Sequence, residues 1–179
     1  MRYIFIDVDG VLNHRGTKAK FGKWTGIDEE NLAVLRKLYD LLCDKYGKDN
    51  LMIILSSTWR YDEDENFVKT TNGVNRKYVD SMLGTVGLKT DDFTPIISDV
   101  YRGLEIATYL ASRLDDCEGY LVLDDNAFLD FQTYATNRHF VQTSDKKHGL
   151  EPKHFKHALA AIDKPLLEHE IRRIQSVIS

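Results

Sequence analysis

Long apolar runs are missing from this chain of 179 residues. None approaches the ~20 residues that a membrane span needs, so a soluble protein is expected. Cysteine is scarce: Cys43 and Cys117 stand alone, each in a segment that reads as ordinary helix or loop. That usage favours structural thiols in a reducing cytoplasm over a disulfide. An excess of positive charge is also missing, since the formal net charge of −4 gives no global attraction to nucleic acid. The start, Met1 to Asp7, has neither the length nor the small-residue cleavage site of a signal peptide. Two ligand loops are excluded by spacing. Counted from Asp7, the positions where a calcium hand needs glycine and glutamate hold Leu12 and Lys18. Gly16 and Gly22 enclose one residue too many for a Walker phosphate loop, and Trp24 stands where Ser or Thr should follow Lys23.

What is present is concentrated at the beginning. Tyr3-Ile4-Phe5-Ile6-Asp7-Val8-Asp9-Gly10-Val11-Leu12 is an apolar strand ending in two carboxylates and a glycine. Alternation along a strand sends Asp7 and Asp9 to one side and Val8 to the other. Two like charges so close disfavour joint ionisation unless a cation sits with them, so the pair implies a metal. An Asp-x-Asp pair alone is often only a turn that bonds its own backbone. Gly10 lets the chain leave the strand sharply and opens its carboxyl end to a ligand.

The rest of the chain predicts strands alternating with helices. Residues 28–46 read as an amphipathic helix from Leu32, Leu35, Leu38 and Leu42, with Gly47 beyond it. Leu51 to Leu55 and Tyr120 to Leu123 are continuous apolar runs of strand length, the pattern of strands buried on both faces. Helices are expected at 74–83, 102–114 and 151–162, and from Pro165. Shorter strands are expected at 93–98, where Pro95 is unfavourable, and at 140–143. This order implies an α/β fold, three-layered and Rossmann-like, with a mostly parallel central sheet. Its length suits a single domain, 1–179, with a sizeable core. The strands end in Asp7 with Asp9, Ser56 with Ser57, and Asp124 with Asp125. In a parallel sheet those ends converge on one crevice, and oxygen ligands beside hydroxyls suit a hard cation that handles phosphate.

With these motifs the chain resembles the haloacid dehalogenase superfamily over roughly residues 1 to 150. Asp-Val-Asp-Gly-Val-Leu-Asn, Ser-Ser-Thr-Trp-Arg, Arg102-Gly-Leu-Glu-Ile, Leu-Asp-Asp and the late Gly149-Leu150 are similar to the haloacid-dehalogenase-like domain of "Swiss Army Knife" RNA repair proteins. The resemblance implies a nucleophile at Asp7, a general acid and base at Asp9, a hydroxyl donor at Ser56 and a phosphate-gripping cation at Arg102, with Lys89 its competitor. It also implies Mg2+ held by Asp7, by Asp9 through its main-chain carbonyl, and by Asp124 or Asp125, with Asp125 favoured as the direct ligand. Asp9 itself points to phosphatase or phosphomutase chemistry, because a dehalogenase expels halide and needs no acid there.

Residues 13–26 carry Arg15, Lys18, Lys20 and Lys23 and no acid, a basic flap suited to steering an anionic substrate, with Trp24 or Phe21 available to stack on a base. Ser57, Arg60 and Gly10 are further candidates for substrate contact, and Trp59 is expected to pack. The insert before residue 28 is too short for a folded cap domain, and residues 61–100 hold at most a small lid. The expected activity is magnesium-dependent phosphomonoester hydrolysis through an aspartyl-phosphate, on polynucleotide-end or nucleotide phosphate. A small-metabolite phosphatase and a catalytically idle module binding phosphorylated partners are the alternatives.

Overall fold

The computed structural model describes residues 1–71, 73–98, 100–134 and 136–178. In chain order its strands and α-helices are β1 (Arg2–Ile6), β2 (Lys20–Phe21), β3 (Trp24–Thr25), α1 (Glu29–Tyr46), β4 (Leu51–Leu55), β5 (Asp62–Glu63), β6 (Lys69–Thr70), α2 (Val74–Thr85), β7 (Asp92–Phe93), α3 (Arg102–Ala111), β8 (Gly119–Asp124), β9 (Phe140–Gln142), α4 (Phe155–Ile162) and α5 (Glu168–Gln175). Five strands form one parallel sheet in the order β7-β4-β1-β8-β9. The fold is the expected three-layered α/β type. Two small antiparallel hairpins, β2–β3 and β5–β6, stand outside the sheet. Among the described residues no helix is long and apolar enough to cross a membrane.

Why the central strands are apolar throughout follows from the layers. Ile4 and Ile6 of β1, Ile53 and Leu55 of β4, and Leu121 and Leu123 of β8 pack with Leu35 and Leu38 of α1, Val79 of α2 and Ile162 of α4. The intervening Tyr3, Phe5, Ile54, Tyr120 and Val122 pack on the opposite face with Ile106 and Leu110 of α3 and Ile174 of α5. Each strand therefore needs an apolar side chain at every position, odd and even. Truncating a buried leucine such as Leu35 or Leu110 to alanine would cost ~2–5 kcal/mol.

Boundaries differ from the sequence reading where local chemistry intervenes. Asp28 is the N-cap of α1, accepting from the Glu30 N–H, and Gly47 at φ 80° ends the helix. The strand expected over 93–98 is only Asp92–Phe93, because Pro95 cannot donate to a ladder. The helix expected from Glu151 opens with a 3₁₀ turn at Pro152–His154 before α4. The last helix begins at Glu168, three residues beyond Pro165.

Candidate active site

The site is built by register. Ile6 lies opposite Leu55 on one side and Leu123 on the other, so the next residue of each strand, Asp7, Ser56 and Asp124, falls in one row. Backbone bonds from Asp7 N–H to Leu123 O and from Ser56 N–H to Ile6 O extend the ladder that far. Alternation sends all three toward the layer that contains α3, the face already occupied by Phe5, Ile54 and Val122. Arg102, the first residue of α3, faces that row. Its Nε is 3.8 Å from Asp124 Oδ2 and its Nη1 is 3.9 Å from Glu105 Oε2.

Asp7, Asp124 and Asp125 each offer a carboxylate oxygen, and these oxygens lie within 4.8 Å of one another. Such crowding is unfavourable for three anions. Burial, ahead of the attraction of Arg102 and a hydrogen bond from Ser57, raises Asp7 above the usual carboxylate value. Burial and then the charge of Asp7 raise Asp124 well above it, and the same two causes push Asp125 up to about 6. An all-oxygen donor set of this kind fits a hard divalent cation. The fit is supported by Asp124 Oδ2, buried without a hydrogen-bond partner, while its Oδ1 accepts from the Asn126 N–H. Ser56 Oγ and Arg102 Nη1 are likewise buried without a hydrogen-bond partner. Orphaned polar atoms cost free energy unless a ligand satisfies them.

Gly10 makes the arrangement possible twice over. Its φ of 72° is in the left-handed region, and a Cβ there would lie 2.4 Å from the Asp125 side chain. Its carbonyl accepts a hydrogen bond of 2.6 Å from the buried Thr143 hydroxyl, which fixes the turn.

The Asp9 side chain is not among the carboxylates gathered with Asp7. The Trp59 indole N–H donates to Asp9 Oδ2 at 2.8 Å, and Asn13 Nδ2 donates to Oδ1 at 2.9 Å. Asn13 in turn accepts from the Gly10 N–H. Trp59 packs as expected, against Phe21 and Tyr78, yet its ring nitrogen also holds the carboxylate. Asn13 and Trp59 sit in motifs that the sequence displays plainly; their common partner is visible only once the chain has folded.

Other candidates fall elsewhere. Ser57 is buried beside Asp7 and its hydroxyl accepts from the Trp59 N–H. Arg60 differs from the expected phosphate contact: it is 2% exposed and bonded to Glu105 Oε1 at 2.6 Å and to the carbonyls of Ser57, Thr94 and Pro95. A guanidinium so engaged has its donors directed at the protein. Lys89 is exposed, pairs with Asp91 and precedes β7, at the amino end of the sheet rather than its carboxyl edge. Arg15 is tied to Asp145, while Lys18 and Lys20 are exposed and Lys23 lies 4.8 Å over the Trp24 ring. Among the buried acids that escaped the sequence reading are Glu105 and Asp130. Glu105 accepts from Arg60 and from the N–H groups of Ile97 and Ser98, and Asp130 caps α3 by accepting from the Leu104 N–H.

Beside this row lies a cleft of about 550 Å³. It is lined by Asp9 and Trp59, by Lys23 and Trp24 of the β2–β3 hairpin, and by Tyr61, Asp62 and Glu63.

A family model described as the HAD domain in Swiss Army Knife RNA repair proteins matches residues 3–155. No curated protein and no solved structure is detectably similar to the chain.

Proposed function

Because the chain belongs to the family of HAD domains found in Swiss Army Knife RNA repair proteins, we propose that it is a magnesium-dependent phosphomonoesterase acting on nucleotide or nucleic-acid-end phosphate, its 179 residues a single catalytic unit. The observation that carries this reading is the single row of Asp7, Ser56 and Asp124, with three buried polar atoms left without a hydrogen-bond partner around it.

Asp7, Asp124 and Asp125 would hold Mg2+, which neutralises charge on the phosphate and aligns it for in-line attack. An Asp7 carboxylate oxygen attacks phosphorus, forming an aspartyl-phosphate, while the bond from phosphorus to the leaving oxygen breaks. Asp9 gives its proton to that oxygen, so an alcohol departs rather than an alkoxide. Asp9 then takes a proton from water as the water oxygen attacks phosphorus, which releases inorganic phosphate and restores the Asp7 carboxylate. The Ser56 hydroxyl and the Arg102 guanidinium donate to the oxygens of the phosphoryl group in transit. A merely phosphate-binding module would have no use for an acid held at both oxygens beside the nucleophile.

The test is release of inorganic phosphate from phosphorylated oligonucleotides, nucleoside monophosphates and sugar phosphates, with Mg2+ and with chelator. Turnover is expected only with the metal, and Asp7→Asn is expected to fall to background while keeping its fold. Magnesium-dependent turnover retained in Asp7→Asn would place the nucleophile elsewhere.

A further inference from the structure

A general acid works only within hydrogen-bond reach of the atom it protonates. The leaving group must therefore occupy the space onto which Asp9 opens, and that space is the cleft between the β2–β3 hairpin and the Tyr61–Glu63 segment. Its volume of about 550 Å³ lies in the range of roughly 300–1,000 Å³ typical of small-molecule sites.

The lining selects among possible leaving groups. Trp24 is 56% exposed although it is one of only two tryptophans in the chain, an exposure that packing does not explain. It offers a flat aromatic surface to the cleft. Glu63 adds an exposed carboxylate to the lining, which accepts from hydroxyl or amino groups, while the Asp62 carboxylate is turned to the start of α2, where Oδ1 accepts from the Asn75 N–H. Together with Asp9 they outnumber the one lysine of the lining, Lys23, so a second phosphate inside the cleft is disfavoured. A further ammonium group is disfavoured because Lys23 already supplies a cation at the Trp24 ring, 4.8 Å from its centroid, whereas the 56% exposure of Trp24 leaves open surface for a neutral ring. What remains is a flat, uncharged ring joined to a group rich in hydroxyls.

We propose that the cleft is the leaving-group subsite and that it takes one nucleoside, its base stacked on Trp24 and its hydroxyl or amino donors met by Glu63. This rests on the phosphomonoesterase reading and narrows its substrate to a phosphate carried directly on a nucleoside. Any further polynucleotide chain must leave by the mouth of the cleft rather than run through it.

The experiment compares a nucleoside 5′-monophosphate with ribose 5-phosphate, which has the same phosphate and sugar but no base. In the wild type with Mg2+ the nucleotide is expected to have the higher kcat/KM. In Trp24→Ala the ratio of the two should fall roughly 5- to 100-fold, the effect of one lost base–aromatic stack, and Trp24→Phe should recover most of it. A wild-type ratio near one, a ratio unchanged in Trp24→Ala, or a preference for an amino alcohol phosphate over both overturns the proposal. Binding is read independently, because Trp24 and Trp59 both line the cleft and are the chain's only tryptophans. Saturable quenching of their fluorescence by the nucleotide and not by ribose 5-phosphate, lost in Trp24→Ala, supports the nucleoside site even if no phosphomonoester is hydrolysed. In that case the phosphatase reading alone fails. Hydrolysis of every ester alike without base-dependent quenching sinks the nucleoside site and leaves the phosphatase standing.

Discussion

Asp9 is held at both oxygens, by Asn13 and by the indole of Trp59, and a carboxylate held that way is aimed before substrate arrives. Trp59→Phe keeps an aromatic ring between Phe21 and Tyr78 and removes only the N–H donor. A hydrogen bond to a charged group contributes ~1.5–3 kcal/mol. Hydrolysis of alkyl phosphates, which need the acid, is therefore expected to slow by roughly 10- to 100-fold, and that of nitrophenyl phosphate by much less. Equal losses on both substrates would show that Trp59 only packs. The row of Asp7, Ser56 and Asp124 was legible in the sequence, because each member is the first polar residue after an apolar run. Asn13 and Trp59 were legible as residues but not as partners, since a 50-residue separation joins Trp59 to Asp9. Arg60 was misread for a related reason. An arginine after a strand is usually solvated, and nothing local announces that Glu105, 45 residues away, will bury it.

The loop after β4 and the start of α3 act as one element through that pair. Arg60 and Glu105 are 2% and 1% exposed and 2.6 Å apart, and Glu105 also collects the N–H groups of Ile97 and Ser98. The same carboxylate stands 3.9 Å from Arg102, so it couples the segment carrying Ser56 to the helix carrying Arg102. Removing one partner leaves a buried, uncompensated charge, which costs ~3–5 kcal/mol. Glu105→Gln and Arg60→Met are each expected to lower the unfolding midpoint in urea by that much stability, with no substrate present. A midpoint within experimental error of the wild type in both variants would contradict the assignment. Long elements were legible from periodicity, α1 above all. The β5–β6 hairpin was not, because two-residue strands have no period to read, and it is this hairpin that contributes to the cleft lining where only a small lid was expected.

For the molecule as a whole, the decisive property is a sheet edge that gathers more negative charge than it can hold alone. Asp7, Asp124 and Asp125 are all raised, Asp125 to about 6, so the folded metal-free protein keeps protons that an unfolded chain releases near pH ~4. Stability from these groups is full below the unfolded value and is lost as pH rises through their raised folded values, about 6 for Asp125. A bound cation removes that penalty and competes with the protons. The rise in Tm caused by Mg2+ is therefore expected to be larger at about pH 7.5 than at about pH 5. A rise that is equal at both, or larger in acid, would mean that the three carboxylates do not form the metal site. The most direct test of the central claim is covalent. Protein mixed with a phosphomonoester substrate and Mg2+, quenched in acid during turnover and digested, should yield the peptide containing Asp7 with the mass of one added phosphoryl group, and hydroxylamine should remove it. The adduct should be missing from Asp7→Asn. Phosphate release by the wild type with no such adduct, or an adduct on another residue, would contradict the account.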